Sequence, residues 1–559
     1  MTDDTLNKEE LYFIPLGGSE QFGVNLNVYA YDGQFMAVDC GIGFADERMP
    51  GIDILLPDPA FLVENKKALA GMIVTHAHED HIGAVAHLWP RLRCPVYCTK
   101  FTGAVLQDKI NENPDCRGME IHIVGQNDFV QIGPFKTHFI PVSHSIPETS
   151  SLIIETDKGL VVHTGDWNLD PAPALGPATD PEPFKAAGQK GVLAYVGDST
   201  NAEVNGVSGS ESDVAKGLEQ VFKEHESGLI AITIFASNIG RIRSIAMAAK
   251  ACGRSVGVMG RSLHRMIGAA RHCGYLKDVP EFVAEEDFDL IPRDTLVIII
   301  TGSQGEARAQ LARLSRGDNP RFEVKKGDTV IFSSRAIPGN EKEIIAVKNN
   351  LAAAGVKIIS PRDTPHCIHV SGHPARDEIT QMLQWIKPVS AIPVHGERTM
   401  LEAHAKLARD CQVKNTLVPN NGSVIRIGEN GVEIIDHIET GLLAVEPGRI
   451  IEAGHSAISE RRKLQFSGSV HVTIVLDKRG DILGDPQIST VGLVDTDEPE
   501  GRRFETALLQ EVEDILEDFT QDEIDDEELV REEIRIGVRR FVNNMIRIKP
   551  KTTVHLVRI

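Results

Sequence analysis

A chain of 559 residues is too long for one ordinary hydrophobic core, so we expect several domains. Its 42% hydrophobic and 25% charged residues predict a globular protein, and the lack of a run near 18 apolar residues argues against a membrane span and a membrane partner. The net charge of −22 argues against nucleic acid, but residues 511–533 contribute −12 of it, so a basic groove elsewhere remains possible. Eight scattered cysteines without a CxxC pair, and an acidic N-terminus unlike a secretory signal, favour the cytoplasm.

The pattern of strands and helices changes along the chain. Up to about Thr200, short β-rich runs alternate with Gly, Pro and Asp turns. From Gly206 to Ser360, apolar strands alternate with amphipathic helices, which is typical of a parallel βαβ domain. We therefore predict one α/β domain in two parts, residues 1–205 and 361–446, interrupted by an inserted α/β domain at 206–360.

The rest of the chain predicts a polar linker at 447–465 and a small α+β domain at 466–559. Apolar stripes at helical spacing mark two helices in this tail, at Leu508, Val512, Ile515, Leu516 and Phe519, and at Ile534, Val538, Phe541, Val542 and Met545. The acidic stretch 511–533 is interpreted as a solvated face or a subunit contact. Basic residues follow it and are candidates to pair with it: Arg535, Arg539, Arg540, Arg547, Lys549 and Lys551.

The stretch "VTHAHEDHIGA" carries His76, His78, Asp80 and His81 directly behind the apolar run "GMIV". Clustered imidazoles and a carboxylate behind a buried strand have no stabilising purpose unless they bind something. Such a donor mixture suits Zn²⁺ or Mn²⁺ better than Mg²⁺ or Ca²⁺. The block therefore predicts a metal site.

Three further candidate ligands end apolar strands downstream, namely His144 in "FIPVSH", Asp166 in "GLVVHTGD" and His395 in "AIPVH". Seven ligands make two sites, with His76, His78 and His144 around one metal and Asp80, His81 and His395 around the other, bridged by Asp166. A metal pair generates a nucleophile from water at neutral pH and clamps a phosphoryl transition state. His163 and His87 are assigned structural roles.

These motifs resemble the metallo-β-lactamase superfamily, and "SGHPARDE" before "PVHGE" resembles its β-CASP nucleic-acid-processing branch. The segments "GGSEQFGVNLNVYAYDGQFMAVDCG", "GDSTNA", "FASNIGRI" and "FSSRAIPGNE" are similar to the bacterial ribonuclease J family over essentially the whole chain. The resemblance implies an αββα metallo-β-lactamase sandwich with an inserted β-CASP domain and a C-terminal α+β domain. It also implies a cytoplasmic ribonuclease of RNA maturation and decay, 5′-to-3′ exonucleolytic with some endonuclease activity.

The same resemblance implies partners and further catalytic residues. Single-stranded RNA would be the substrate, the chain would form homodimers or homotetramers, and other RNA-decay proteins or the ribosome are possible partners. Asp198 in "GDST" and His373 in "SGHPARDE" match the family's acidic residue and histidine. His373 would protonate the departing 3′ oxygen, and Asp198 would fix its tautomer; the alternative for His373 is a purely structural place before a helix.

Binding the phosphate backbone of a nucleic acid requires hydrogen-bond donors that do not read the base sequence. The inserted domain offers four strand-to-helix junctions, which lie at one edge of a parallel sheet and can bind phosphate, although a serine there is often a plain helix cap. The candidate phosphate contacts are Ser237, Arg241, Arg261, Ser262, Ser303, Ser333, Ser334 and Arg335. Backbone groups of Ser371 and Gly372, beside His373, are the candidate pocket for a 5′-monophosphate.

Three other functions compete with RNA cleavage. A DNA-processing nuclease of the same branch is the nearest alternative. A small-ester or thioester hydrolase shares the HxHxDH core but needs neither the inserted domain nor His373. A catalytically silent scaffold is disfavoured by the complete set of ligands.

Overall fold

The computed structural model describes residues 6–337 and 339–559. These residues form two compact units, one comprising the chain up to Gly43 with Leu55–Leu442, the other comprising Phe44–Ile54 with Leu443–Ile559. The strands in chain order are β1 (Leu11–Gly17), β2 (Leu26–Tyr31), β3 (Gln34–Val38), β4 (Gly43–Phe44), β5 (Ile54–Pro57), β6 (Leu69–Val74), β7 (Val96–Cys98), β8 (Ile121–Ile123), β9 (Phe129–Ile132), β10 (Phe135–Pro141), β11 (Ser150–Thr156), β12 (Gly159–His163), β13 (Val192–Asp198), β14 (Ile230–Thr233), β15 (Ser255–Met259), β16 (Leu296–Ile300), β17 (Thr329–Phe332), β18 (Lys357–Ile359), β19 (Ser390–Val394), β20 (Asn415–Thr416), β21 (Ser423–Gly428), β22 (Gly431–His437), β23 (Leu442–Glu446), β24 (Arg449–Glu452), β25 (Ser469–Leu476), β26 (Gln487–Val491) and β27 (Lys551–Arg558).

Helices follow many of these strands. They are α1 (Ala60–Glu64), α2 (Glu79–Ile82), α3 (Val85–Leu92), α4 (Lys100–Glu112), α5 (Glu182–Lys190), α6 (Glu211–Glu224), α7 (Ile239–Ala251), α8 (Arg261–Cys273), α9 (Gln310–Arg316), α10 (Glu341–Ala353), α11 (Arg376–Ile386), α12 (Arg398–Asp410), α13 (Ser456–Ser467), α14 (Pro499–Glu517), α15 (Gln521–Ile524) and α16 (Glu527–Ile546). Across the described ranges 6–337 and 339–559, we find no helix long and apolar enough to cross a membrane.

Two facing sheets form the core of the first unit. One has the strand order β22-β21-β1-β2-β3-β6-β7-β8, and the other has the order β20-β19-β13-β12-β11-β10-β9. Apolar side chains from both sheets pack together between them, among them Phe13, Ile73, Phe139 and Val196. Because strand side chains alternate, the opposite faces are free to pack on helices, and α5, α11 and α12 cover the second sheet through residues such as Phe184 and Leu383. The predicted αββα sandwich is confirmed.

The insert has its own sheet and core. Strands β15-β16-β14-β17-β18 are all parallel, and each of the first four in chain order is followed by a helix from α7 to α10. Buried Ile298, Val330, Leu311 and Leu351 belong to the core between this sheet and its helices. The expected parallel α/β domain is therefore present, and its strand ends lie along one edge.

The C-terminal unit contains a three-stranded sheet in the order β26-β25-β27. Most predicted stripe residues of α14 and α16 are buried against it, but Met545 is 55% exposed. The polar stretch 447–465, predicted as a linker, holds β24 and most of α13. Of the basic residues expected to pair with the acidic stretch, Arg535 contacts Glu532, whereas Lys551 contacts Glu460.

Candidate metal centre

Polar side chains lie close together at the carboxyl ends of several strands of the sandwich. His76 and His78 follow β6, and Asp80 and His81 lie in the short helix α2. The other polar side chains follow or end neighbouring strands: Asp39 after β3, His144 after β10, Asp166 after β12, Asp198 at the end of β13 and His395 after β19. The buried strands thus fix the backbone positions from which these side chains project.

The first group of donors consists of three imidazoles and one carboxylate oxygen. Nε2 of His76 lies 3.1 Å from Nδ1 of His78, which lies 3.0 Å from Nε2 of His144. Oδ2 of Asp166 is 3.6 Å from the His76 nitrogen and 3.7 Å from the His144 nitrogen. Such separations are those of atoms arranged around one small cation with bonds of about 2.0–2.2 Å.

The second group lies on the other side of Asp166. Oδ1 of Asp166 is 3.3 Å from Nε2 of His81 and 3.5 Å from Nε2 of His395. Oδ2 of Asp80 completes the group, 3.6 Å from the His81 nitrogen and 3.7 Å from the His395 nitrogen. The structure brings together the same two sets of side chains that the sequence put forward as ligands, with one Asp166 oxygen facing each set.

Asp166 itself provides the test of whether a metal fits. Its side chain is 1% exposed, and neither carboxylate oxygen has a hydrogen-bond partner among the described residues. Burial opposes ionisation, but the imidazoles of His395 and His81 outweigh it and hold the pKa of Asp166 well below its usual range. A buried, ionised carboxylate without a donor is costly unless a cation compensates it, so the donor set fits divalent metal.

Neighbouring groups fix the histidine tautomers. Thr75 donates its hydroxyl hydrogen to Asp39, so its oxygen accepts from Nδ1 of His76 at 3.0 Å. Nδ1 of His81 donates to Asp39 at 2.7 Å, and Nδ1 of His144 donates to the Gly372 carbonyl at 2.7 Å. Whenever one of these rings is neutral, its Nε2 therefore has the lone pair that faces the donor group.

The charge states of the histidines differ between the groups. Burial lowers the pKa of His76 and His78 well below the ordinary value, and lowers that of His144 to about 4. For His81, burial opposes the proton, but the Asp166 and Asp39 carboxylates hold the pKa well above its usual value. The first group is therefore ready to coordinate near neutral pH, whereas a cation entering the second displaces a proton.

His373 lies beside the donor groups and is held by Asp198. Its Nδ1 donates to Oδ2 of Asp198 at 2.8 Å and lies 3.7 Å from Asp166, and 23% of its side chain is exposed. Burial disfavours the imidazolium, but the Asp198 and Asp166 carboxylates outweigh it and raise the pKa of His373 to about 9. The pairing of His373 with Asp198 that the sequence suggested is present, and the ring is accessible from solvent.

The loop that carries His373 is tied to the sandwich. Ser371 Oγ accepts from the Asn201 side chain at 2.8 Å and from the His373 N–H at 3.2 Å. A Cβ on Gly372 would lie 2.8 Å from Cε1 of His144. Ser371, Gly372 and His373 are thus brought together beside the first donor group.

The candidate phosphate contacts of the insert are distributed unequally between surface and interior. The strand ends that carry them are in register at one sheet edge. Arg261, Ser262 and Arg335 are exposed and Ser237 is half-buried, whereas Ser303 and Ser334 are buried. Helix α9 begins only at Gln310, so "TGSQGEAR" is a loop instead of a direct helix start.

Arg241 and Ser333 do not lie on the surface where phosphate contacts were expected. Arg241 is 1% exposed, and its Nε and Nη2 donate to the Glu211 carboxylate at 2.8 and 2.6 Å. Its Nη1 donates to Ser333 Oγ at 2.7 Å, and Ser333 donates to the Ile368 carbonyl. The polar groups of Arg241 and Ser333 are therefore hydrogen-bonded within the protein. These bonds connect the end of β17 to the segment that follows the insert.

Two supporting residues were not found from the sequence. Asp39 directly follows β3 in "FMAVDCG", and the strand-end rule that located Asp166 applies equally to it. Asn25 contacts His395 and the carbonyl of Asp80, and nothing in "GVNLN" distinguishes it. His163, by contrast, donates to or accepts from Tyr29 at 3.0 Å in the core, in keeping with its structural assignment.

Comparison with known proteins follows the same division of the chain. The family description "Beta-lactamase superfamily domain" matches residues 36–181, and "Ribonuclease J, beta-CASP domain" matches 227–351. "Zn-dependent metallo-hydrolase RNA specificity domain" matches 365–419, and "Ribonuclease J C-terminal domain" matches 456–559. Fold, donor groups and matched segments define a metallo-β-lactamase-fold hydrolase with an inserted β-CASP domain.

The chain belongs to the ribonuclease J family. Ribonuclease J of Sinorhizobium meliloti is 43% identical over 560 residues, which cover 100% of this chain and 99% of the relative. Ribonuclease J of Mycolicibacterium smegmatis is 34% identical, covering 96% of this chain and 95% of the relative. A solved structure of an Enterococcus faecalis protein of unknown function aligns with a TM-score of 0.54 at 16% identity, over 75% of this chain and 100% of that one, and supports the fold alone.

Proposed function

We propose that this metal-dependent ribonuclease holds two divalent cations and degrades single-stranded RNA from its 5′ end, with a preference for a 5′-monophosphate and some internal cleavage. The observation that carries the two-cation proposal is the buried Asp166 carboxylate, whose two oxygens lack hydrogen-bond partners among the described residues and face two different groups of imidazoles. Imidazole-rich donors favour Zn²⁺, with Mn²⁺ as the alternative.

The two donor groups divide the work of holding the cations. His76, His78 and His144 would hold one cation, Asp80, His81 and His395 would hold the other, and Asp166 would contribute one oxygen to each. Bound there, the cations supply Lewis acidity to the phosphodiester and activate water for attack at neutral pH. Asp80 also acts at the reacting centre, since 34% of its side chain is exposed next to the buried ligands.

His373 acts as the general acid. When water attacks phosphorus and the bond to O3′ breaks, the departing 3′ oxygen needs a proton, which a positioned imidazolium can give. Asp198 accepts from Nδ1 of His373, so the other ring nitrogen carries the proton that is transferred. The nucleotide leaves with its 3′-hydroxyl, and the shortened RNA keeps a new 5′-monophosphate.

That new end is the ligand of the proposed 5′ pocket at Ser371 and Gly372. The pocket lies against His144, a ligand of the first group, so a terminal phosphate held there is close to the cations. Ser334 and Arg335 follow Ser333, which bonds to Ile368 just before this loop, and they assist in binding. Monophosphate fits such a confined site, whereas a triphosphate adds bulk and a 5′-hydroxyl leaves donors unpaired.

The remaining phosphate contacts belong to the exposed edge of the insert. Ser303 is buried and is not available for such a contact, but Arg261 and Ser262 at the start of α8 are accessible, and half-buried Ser237 lies at a neighbouring strand end. These groups contact the RNA backbone without reading sequence. The enzyme works in the cytoplasm in RNA maturation and decay, as a homodimer or homotetramer, with other decay proteins or the ribosome as partners.

End-labelled RNA with three different 5′ groups tests this function. We expect faster exonucleolytic decay of the monophosphorylated RNA than of triphosphorylated or hydroxyl RNA of the same sequence, in the presence of Zn²⁺ or Mn²⁺. A matched DNA should be cleaved more slowly, and the reverse preference would identify the DNA-processing alternative. Equal exonucleolytic rates for all three RNA ends would show that the 5′ pocket is absent.

A further inference from the structure

Asn25 lies just before β2, and its buried side chain contacts residues of the second donor group. Its side chain is 2% exposed. Oδ1 lies 3.0 Å from Nδ1 of His395, and Nδ2 lies 2.9 Å from the carbonyl oxygen of Asp80. Nδ2 is also 3.3 Å from Nε2 of His81. One amide therefore contacts all three residues that are specific to the second group.

The orientation of this amide follows from its partners. The Asp80 carbonyl can only accept, so the amide nitrogen must face it and the amide oxygen must face His395. Oδ1 then accepts from Nδ1–H of His395, which leaves the lone pair on Nε2, the atom nearest Asp80 and Asp166. The amide thus selects the tautomer of His395 that can bind a cation.

The backbone around Asn25 bonds to its main chain and leaves space for its side chain. The Asn25 N–H also donates to the Asp80 carbonyl at 3.3 Å, and the Gly41 N–H donates to the Asn25 carbonyl at 2.9 Å. Gly18 has a φ of +86°, and a Cβ there would lie 2.1 Å from Oδ1 of Asn25. Gly18 accepts from the His395 N–H at 2.9 Å, so the loop that makes room for the amide also holds the ligand.

The first donor group has different supports. Thr75 orients His76, and the Gly372 carbonyl orients His144. Among the described residues, the side chain of Asn25 makes no hydrogen bond to either of these histidines, and its bonds end on the turn of α2 and on His395. Loss of its amide should therefore affect one group and spare the other.

We propose that Asn25 is a positioning residue that sets the affinity of the Asp80–His81–His395 group for its cation, independently of the first group. This inference rests on the proposed two-cation function. Removing a group that orients a metal ligand typically weakens metal binding by about 10–100-fold. We expect a loss of that size for one cation and an unchanged affinity for the other.

The experiment is a titration of the full-length metal-free protein with Zn²⁺ against a competing chelator, repeated with Co²⁺ to follow the visible absorption of each group. Asn25→Ala removes the amide, and Asn25→Leu removes it while keeping side-chain volume. Asn27→Ala is the matched control, because Asn27 is a buried asparagine in β2 whose Oδ1 has no hydrogen-bond partner among the described residues. Thermal unfolding of each metal-free variant establishes that it is folded.

The outcomes separate this inference from the function on which it rests. Two cations in the unmodified protein and in Asn27→Ala, with selective weakening of one in both Asn25 variants, support it. A folded Asn25→Ala or Asn25→Leu protein that binds both cations as tightly as the unmodified chain, or loses both equally, overturns it. A single tightly bound cation in the unmodified protein would instead overturn the two-cation function.

Discussion

At the scale of the residue, Asp166 is the side chain on which both donor groups depend. Asp166→Ala removes one ligand from each group, so we expect the bound metal to fall below two ions per chain. Losing several kcal/mol of transition-state stabilisation corresponds to a drop in cleavage of roughly 10³-fold or more. His87→Ala, which changes a histidine outside the donor groups, should keep both metal content and rate. Two fully occupied ions in a folded, inactive Asp166→Ala protein would contradict the bridging role.

His373 should affect the chemical step without affecting metal content. His373→Ala removes the proton donor, and we expect cleavage to slow by roughly 10²–10⁴-fold under single-turnover conditions. RNA affinity and metal stoichiometry should stay near those of the unmodified protein. Asp198→Asn, which keeps the shape but loses the carboxylate, should show the same kind of defect. Unchanged single-turnover cleavage in His373→Ala would remove His373 from the reaction.

The donor residues could be predicted from the sequence because their chemistry is visible in it. Clustered imidazoles at "HAHEDH" and polar residues at strand ends have few purposes other than metal binding. Asn25 could not be predicted, because its importance depends on a contact with His395, 370 residues away. For Arg241 the sequence was misleading in a different way. Its position after a strand could be predicted from the sequence, but its burial against Glu211 could not.

At the scale of the element, the junction between the insert and the returning segment depends on the Arg241–Glu211 pair. Removing one partner of a buried ion pair leaves an uncompensated charge and typically costs about 3–5 kcal/mol. Arg241→Met should therefore lower the free energy of unfolding by that order in denaturant titrations. The double variant Arg241→Met/Glu211→Leu should lose less than the sum of the single changes. A stable Arg241→Met protein with weakened RNA binding would show that Arg241 contributes to RNA binding and not to stability.

Arg261, at the exposed start of α8, should behave in the opposite way. Because this guanidinium is exposed on the edge proposed to bind RNA, Arg261→Ala should leave the unfolding free energy within about 0.5 kcal/mol of the original. We expect weaker RNA binding and a salt dependence reduced by nearly one counterion, roughly 0.7 in the logarithmic slope for a single strand. Affinity measured over a series of salt concentrations checks this. An unchanged slope would exclude a phosphate contact at Arg261.

At the scale of the whole molecule, the sequence predicted the domain architecture better than the structure of the segment that connects two of the domains. Periodicity is a local property, so the parallel insert could be inferred from alternating apolar strands and helices. Composition alone did not predict the strand within residues 447–465, because β24 pairs with β23 through backbone bonds that polar side chains do not reveal. The negative net charge was equally uninformative about the site, because much of it belongs to residues 511–533 and not to the donor groups.

The C-terminal unit is predicted to serve assembly. Among the described residues, the candidate metal groups lie between His76 and His395, and this unit contributes to none of them. Its sheet has β26 and β27 as edge strands, and unpaired strand edges and exposed apolar side chains are surfaces on which another copy can pack. Phe466 is 78% exposed and Ile559 is 65% exposed.

Truncation after Gly454, which spares all donor residues and avoids cutting α13, should lower the number of protomers per particle, obtained by dividing the light-scattering mass by the mass of one truncated chain. Phe466→Ser should shift the same equilibrium without lowering thermal stability, because an exposed phenylalanine contributes little to the core of its own chain. Cleavage of a short RNA reports whether the metal centre survives in each variant. A truncated protein that cleaves RNA and keeps the same number of protomers per particle as the full chain would show that assembly depends on other surfaces.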